Sequence, residues 1–342
     1  MAKTILGVDI GHDSLKLALV SGNRVRKVAV AQMPEKLIRE GHVVSIETMG
    51  ELIRQTMKKN GMHCKSAALV IPNENVFIRS VTMPLMTVDQ LNYNLPFEFR
   101  DYISDELKNY IFDYAVTSKH EAVPEEGAEQ AEKEEAGGEV LELMAVAAPK
   151  TLLEESRAIM HKAGLKLVKA APSISAFRSL ILEEAKNNAD ESKEYCILDM
   201  GYSSIRMHMF KGDKQVVTRA LEVGMRNIDT VIADAYSVDE HLAHTYLLNN
   251  YEDCQHKDYC TNAFGNMTVE LMRALNFYRF SNPDSHLEDI WICGGGACIE
   301  PLEKAIEENL DMKIHPASEL IPGGDKVEND YTVLQAIGIA LN

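Results

Sequence analysis

Two stretches decide the fold: LGVDIGHDSLKLALVSGN, residues 6–23, and CILDMGYSSIRMHMFKGD, residues 196–213. Laid over one another without a gap, at an offset of 190 residues, they place Asp9 on Asp199, Gly11 on Gly201, Ser14 on Ser204, Lys16 on Arg206 and Gly22 on Gly212. Leu15, Leu17 and Leu19 meet Ile205, Met207 and Met209, so the alternating apolar face is kept as well. Alternation of period two marks a half-buried strand, and Gly-Asn or Gly-Asp between two such runs marks a hairpin turn. Each copy therefore predicts a strand ending in Asp-x-Gly, a second strand, then a third over 24–31 or 215–223. A helix follows in each, over 46–60 and 225–235. Asp-x-Gly by itself is a weak signal, but five matched positions in one register indicate an internal duplication. Two related βββα lobes imply a cleft between them, with both Asp-x-Gly turns facing it.

Composition agrees with two such lobes. The chain has 342 residues, 46% of them apolar and 25% charged, enough for two compact units that each bury a core. The net charge of −17 argues against nucleic acid as the main partner, because a phosphate backbone is met by clustered Lys and Arg. It argues equally against direct docking on an anionic lipid surface. No apolar run reaches the ~18–20 residues of a membrane span, and the opening MAKTILGVDIG enters a strand without the features of a signal peptide. Cys64, Cys196, Cys254, Cys260, Cys293 and Cys298 are too scattered for a disulfide scaffold, so reduced thiols and a cytoplasmic location are expected. Seven of the excess negative charges belong to residues 121–139, which hold eight Glu, one Lys and no aromatic. Such a segment cannot bury enough apolar surface to order itself, and is expected to be a disordered hairpin loop, or alternatively an acidic docking tail.

The paired turns resemble those of the actin-like ATPase superfamily, in which two glycine-bearing hairpins hold nucleotide phosphates from opposite sides. Glycine lets backbone N–H groups approach a phosphate, serine adds a donor, and aspartate holds Mg²⁺ through water. The resemblance implies a phosphate set of Asp9, Gly11, His12, Ser14 and Lys16 from the first turn and Asp199, Gly201, Tyr202 and Ser203 from the second. It implies ATP or ADP with Mg, the metal held by Asp9 and Asp199 through its water. A third element should follow late in the chain, and DIWICGGGACIEPLEKAIEEN reads as strand, glycine turn and helix. In the superfamily that turn, here Gly294, Gly295 and Gly296, lies against the adenosine. Glu270 and Arg273, three apart on one helix, match the adenosine-side pair of the superfamily, although an i,i+3 ion pair on a solvated face has the same spacing.

The segment after the first lobe narrows the resemblance. VIPNENVFIRSVTMPLMTVDQLNYNLPFEFRDYISDELKNYIFDYAV sets two apolar strands around a helical stretch. With Met83-Pro84, Phe97-Glu98, Tyr102-Ile103 and Asp113-Tyr114 it resembles the PilM family of type IV pilus assembly proteins, relatives of FtsA. LELMAVAAPKTLLEESRAIMHKAGLKLV, the helix over 271–280 and the closing YTVLQAIGIALN, with Gly338 at a contact with the first lobe, match that family in order. The expected fold class is α/β, with duplicated actin-like (ribonuclease H-like) lobes and a small α+β subdomain inserted in the first. The expected boundaries are 1–80 with 169–192 for the first lobe, 81–168 for the insertion, and 193–342 for the second lobe, with a helical subdomain over 236–289. The family implies a scaffold at the inner face of the membrane. It captures the N-terminal cytoplasmic peptide of the single-span protein PilN between the first lobe and the insertion, and other pilus-machine proteins are further partners.

Departures from the superfamily pattern bear on chemistry. The position where ATP-hydrolysing relatives carry an acid falls on Ala171, which accepts no proton and aims no water, and ribose-side positions fall near Leu242 and Thr245. Nucleotide binding with little or no hydrolysis is therefore expected, and no catalytic residue is assigned. The alternatives are an FtsA-like filament former, against which the chain's ending directly after the closing helix speaks, and a small-molecule kinase. The kinase lacks a cleft-facing Asp among Asp89, Asp101 and Asp113. His241, His244, Cys254, His256 and Cys260 cluster in sequence but lack the paired spacing of a zinc site.

Overall fold

The computed structural model describes residues 3–34, 36–39, 41–121, 139–186, 192–212, 214–322 and 330–341. The acidic loop expected over 121–139 lies, its two end residues apart, outside them. From the N-terminus, β1 (Thr4–Ile10), β2 (Ser14–Ser21) and β3 (Arg24–Gln32) form an antiparallel meander. Two short strands, β4 (Ile38–Arg39) and β5 (His42–Val43), pair beside it. Helix α1 (Ile46–Lys59) starts where Ser45 caps the Thr48 amide and buries Met49, Ile53 and Met57. Strand β6 (Ser66–Ile71) then runs parallel to β1.

The chain leaves this sheet for an inserted unit. Strands β7 (Phe77–Pro84), β8 (Tyr110–Glu121) and β9 (Glu139–Pro149) make a separate sheet in the order β7-β9-β8. Between the first two, α2 (Val88–Asn94), opened by a Thr87–Gln90 capping box, and the turns after it pack Leu91, Leu95, Phe99 and Ile103 on one sheet face. Helix α3 (Lys150–Lys162) and β10 (Lys166–Pro172) return to the first lobe. Strand β10 pairs with β6, and Ile159 and Met160 of α3 share a core with Met49 and Ile53 of α1. The insertion thus closes near Pro149 rather than at 168. An amphipathic helix goes where its apolar stripe finds a partner, and here that partner is α1.

After α4 (Ser173–Ala185) the plan repeats. Strands β11 (Glu194–Met200), β12 (Ile205–Lys211) and β13 (Lys214–Leu221) form the second meander, followed by α5 (Met225–Tyr236). Helices α6 (Glu240–Leu248) and α7 (Asp258–Ser281) lead to β14 (Asp289–Cys293), α8 (Glu300–Asn309), β15 (Lys313–Pro316) and α9 (Asp330–Ala340). The sheets have equivalent orders, β10-β6-β1-β2-β3 and β13-β12-β11-β14-β15. Their registers repeat at the offset read from sequence: Asp9 faces Lys16 as Asp199 faces Arg206. The Gly11 amide donates to the Ser14 carbonyl as Gly201 donates to Ser204, and Gly22 donates to Lys3 as Gly212 donates to Lys193.

Helices α4 and α9 lie between the two sheets. Ile5, Val20 and Val70 of the first and Tyr195, Ile197 and Trp291 of the second converge on Phe177, Leu180 and Ile337. A Cβ on Gly338 would come within 2.2 Å of the Ala176 carbonyl oxygen, so α9 is held against α4 backbone to backbone. This apolar layer is the floor above which the lobes part. No helix among the described residues is long and apolar enough to cross a membrane.

Candidate functional site

The cleft between the lobes has a volume of about 960 Å³. Both meanders deliver their first hairpin turn to it. Asp9, Gly11, His12, Ser14 and Lys16 line one wall, and Asp199, Gly201, Tyr202, Ser203, Gly294 and Gly295 line the other. The Lys16 ammonium lies 3.5 Å from the Asp9 carboxylate and directly over Gly11, where a Cβ would meet it at 2.5 Å. Asp199 is buried and takes a 2.9 Å hydrogen bond from the Gln335 amide of α9. Burial pushes its carboxyl up and the Asp9 charge adds to this, while Arg206 and Lys16 pull the other way. At Gly295 a Cβ would meet nothing within 4 Å, so the third turn offers bare backbone to open space.

Three of the expected residues do not join this set. Gly296 is buried behind the turn, where a Cβ would strike Met225 and Met200. Glu270 and Arg273 pair with each other in a separate surface hollow beside Glu222, Val223, Asn266 and Val269. The i,i+3 spacing was right for an ion pair, but the face of α7 that carries it turns away from the cleft. Of the two ribose-side positions, Thr245 lines the cleft and Leu242 does not. Ala171 pairs with Val70 on β10 and packs against the interlobe core.

Other residues complete the walls and were not legible as a group. Arg206, the repeat partner of Lys16, reaches across the cleft to both oxygens of Glu74, at 2.9 and 3.0 Å. His12 stacks on Tyr202 from the opposite lobe, with ring centroids 4.8 Å apart and planes within 9°. His244, seen in sequence only as part of a His/Cys cluster, bonds Asp229 through Nδ1 at 2.9 Å and approaches Asp13 with Nε2 at 3.7 Å. Burial alone would depress its imidazole, yet the hydrogen bond to Asp229, the close approach of Asp13 and the charges of both carboxylates outweigh this and push it up to about 10. The rest of that cluster is dispersed: Cys254 and Cys260 are buried, and His256 pairs with Asp253. Cys293 and Cys298 both line the cleft; Cys293 is buried, and Cys298 donates to the Gly295 carbonyl at 2.8 Å.

The donor set suits a nucleotide with a divalent ion. Two acids face one another across the cleft, a lysine sits over one glycine turn, and a side-chain-free turn stands opposite.

The duplicated sheets, the helices between them and the cleft above define a two-lobed protein of the actin-like class. A sequence model of the family described as type IV pilus assembly protein PilM matches residues 7–321, and the chain belongs to that family. Among solved structures, the "PilM-PilN type IV pilus biogenesis complex" is similar at 21% identity, over 98% of this chain and 97% of that one, with a TM-score of 0.77. Ethanolamine utilization protein EutJ from Carboxydothermus hydrogenoformans is similar at 14% identity, over 100% of this chain and 89% of that one, with a TM-score of 0.57. No curated protein sequence matches.

Proposed function

We propose that this chain is a scaffold of type IV pilus assembly that binds the N-terminal cytoplasmic peptide of a PilN-like membrane protein and holds a nucleotide in its interlobe cleft. The observation that carries this reading is the convergence of three glycine turns, two of them duplicated, on one cleft in a chain of this family. Asp9, Gly11, His12, Ser14 and Lys16 take the phosphates from one side and Asp199, Gly201, Tyr202 and Ser203 from the other. Gly294 and Gly295 back the nucleoside. Magnesium, held through water by Asp9 and Asp199, would neutralise phosphate charge. Such a ligand sets the angle between the lobes, which is a binding role. Hydrolysis is slow or absent in this reading: position 171 carries no acid, and Glu74 is engaged by Arg206.

In this reading the peptide binds between the first lobe and the inserted sheet, whose Ile78 and Met144 rest on the interlobe core. A solved relative's description as a complex with PilN supports this choice of partner. Through it, the chain would sit at the inner face of the membrane. Isothermal titration tests both halves. The expected result is saturable binding of Mg-ATP, weakened about tenfold or more by Lys16→Ala. The peptide should bind separately, with phosphate release at background. Absence of peptide binding, or phosphorylation of a sugar or acid, overturns the scaffold.

A further inference from the structure

The contacts across the cleft mouth form a chain that alternates between lobes. His12 and Asp13 stand on the turn between β1 and β2; Tyr202 stands on the turn between β11 and β12. The Tyr202 ring, stacked on His12, meets His244 of α6 edge-on at a centroid distance of 5.8 Å. His244 then joins Asp229 of α5 in its own lobe to Asp13 in the other.

The two carboxylates differ in kind. The Asp229 side chain is 0% exposed and its Oδ1 has no hydrogen-bond partner, so it depends on the His244 contact and cannot exchange it for water. The Asp13 side chain is 37% exposed, and its contact with His244 is looser by 0.8 Å, from 2.9 to 3.7 Å. Solvent or another anion can take its place. The weak link therefore lies between the lobes, at the point where both phosphate-facing turns meet.

We propose that Asp13, His244 and Asp229, backed by the His12–Tyr202 stack, form a charge latch that ties the lobes across the cleft mouth and opens when a phosphate oxygen replaces Asp13 at His244. The displacement step rests on the nucleotide reading; the latch itself does not. Asp13 acts as a built-in anion that competes for the same cation. The groups facing the latch are Lys16 and His12 beside Asp13, Arg226 and Glu240 beside Tyr202, and Cys260 behind Asp229. With the imidazole pushed up to about 10, the cation persists at neutral pH. A ligand, not a proton, opens the latch under those conditions.

Hydrogen–deuterium exchange and nucleotide titration separate the parts. In the free protein, His244→Gln and Asp13→Asn should each speed exchange of residues 11–14 and 201–204 about tenfold. The double variant should add little, and exchange over β7 to β9 should stay unchanged. Asp13→Asn leaves the His244–Asp229 bond intact, so it reports even if His244→Gln folds poorly. With a fluorescent ADP analogue and Mg²⁺, Asp13→Asn should bind about fivefold tighter and His244→Gln about fivefold weaker. Opposite signs are expected only if Asp13 competes with phosphate. Faster exchange with no nucleotide bound by any form keeps the latch and overturns the nucleotide reading. Unchanged exchange, with equal nucleotide affinity in all forms, overturns the latch and keeps that reading.

Discussion

At the scale of single residues, two glycines test the packing in opposite directions. Gly338 on α9 has the Ala176 carbonyl where its Cβ would be, at 2.2 Å, and the layer between the sheets has no room to yield. Gly338→Ala is expected to cost about 1–3 kcal/mol, as overpacking of a tight core does, and to lower the melting temperature by several degrees in calorimetry. Gly265 sits inside α7 with nothing within 4 Å of a Cβ and an exposed position. Gly265→Ala should stabilise by up to about 1 kcal/mol, the helix-interior difference between the two residues. A melting temperature that Gly338→Ala leaves unchanged or raises would contradict the packing of α9 on α4. The position of Gly338 at such a contact follows from the family resemblance; the identity of the partner atom needs the structure, because Ala176 is 162 residues away.

At the scale of elements, sequence legibility follows the range of the interaction. The meanders were readable because their signals are local: alternation within each strand and a glycine at each hairpin, then repeated at one offset. The third strands and the helices after them shift by only one or two residues at their ends, as fraying termini do. Helix α3 was assigned to the insertion because it follows β9 in sequence, whereas its Ile159 and Met160 pack against α1, a partner no local pattern names. Glu270 and Arg273 failed for a related reason, since a helix shows which residues share a face but not where that face points. The cleft walls mix both cases. The glycine turns were visible, but the Glu74–Arg206 and Asp13–His244 contacts join distant segments. One element-scale prediction follows from the register that pairs Glu121 with Glu139. Replacing residues 122–138 with Asn-Gly closes β8 and β9 through a two-residue turn of the favoured kind. Shortening the loop lowers closure entropy slightly. Circular dichroism should show an unchanged fold and a melting temperature equal to or above that of the parent; a molten or aggregated product would show that the segment supports the sheet.

At the scale of the whole molecule, the lobes share one apolar floor but meet above it through charge, so their union should depend on pH. The folded-state imidazole of His244, pushed up to about 10 from its ordinary 6.5, binds a proton that the unfolded chain releases earlier. A group raised in this way contributes stability that is complete below pH 6.5 and is lost as pH climbs toward 10. Asp13 is shifted the other way: its contact with His244 holds it below the ordinary carboxylate range, so its contribution is lost only on acidification. Burial raises Asp229, and that cost is already present at neutral pH. Between pH 6.5 and 8.5 His244 is thus the group of this cluster that changes the balance. Above pH 8.5 the buried thiols of Cys196 and Cys260, raised by burial, also begin to favour the unfolded chain. The comparison must therefore be made against a variant. Melting temperatures of the parent should fall from pH 6.5 to 8.5 relative to those of His244→Gln, which start lower and do not fall over that window. The reason is that buried His208, held well below its ordinary range, adds slightly to stability as the unfolded chain loses its proton. Parallel curves for the two proteins would show that His244 carries no proton-linked stability.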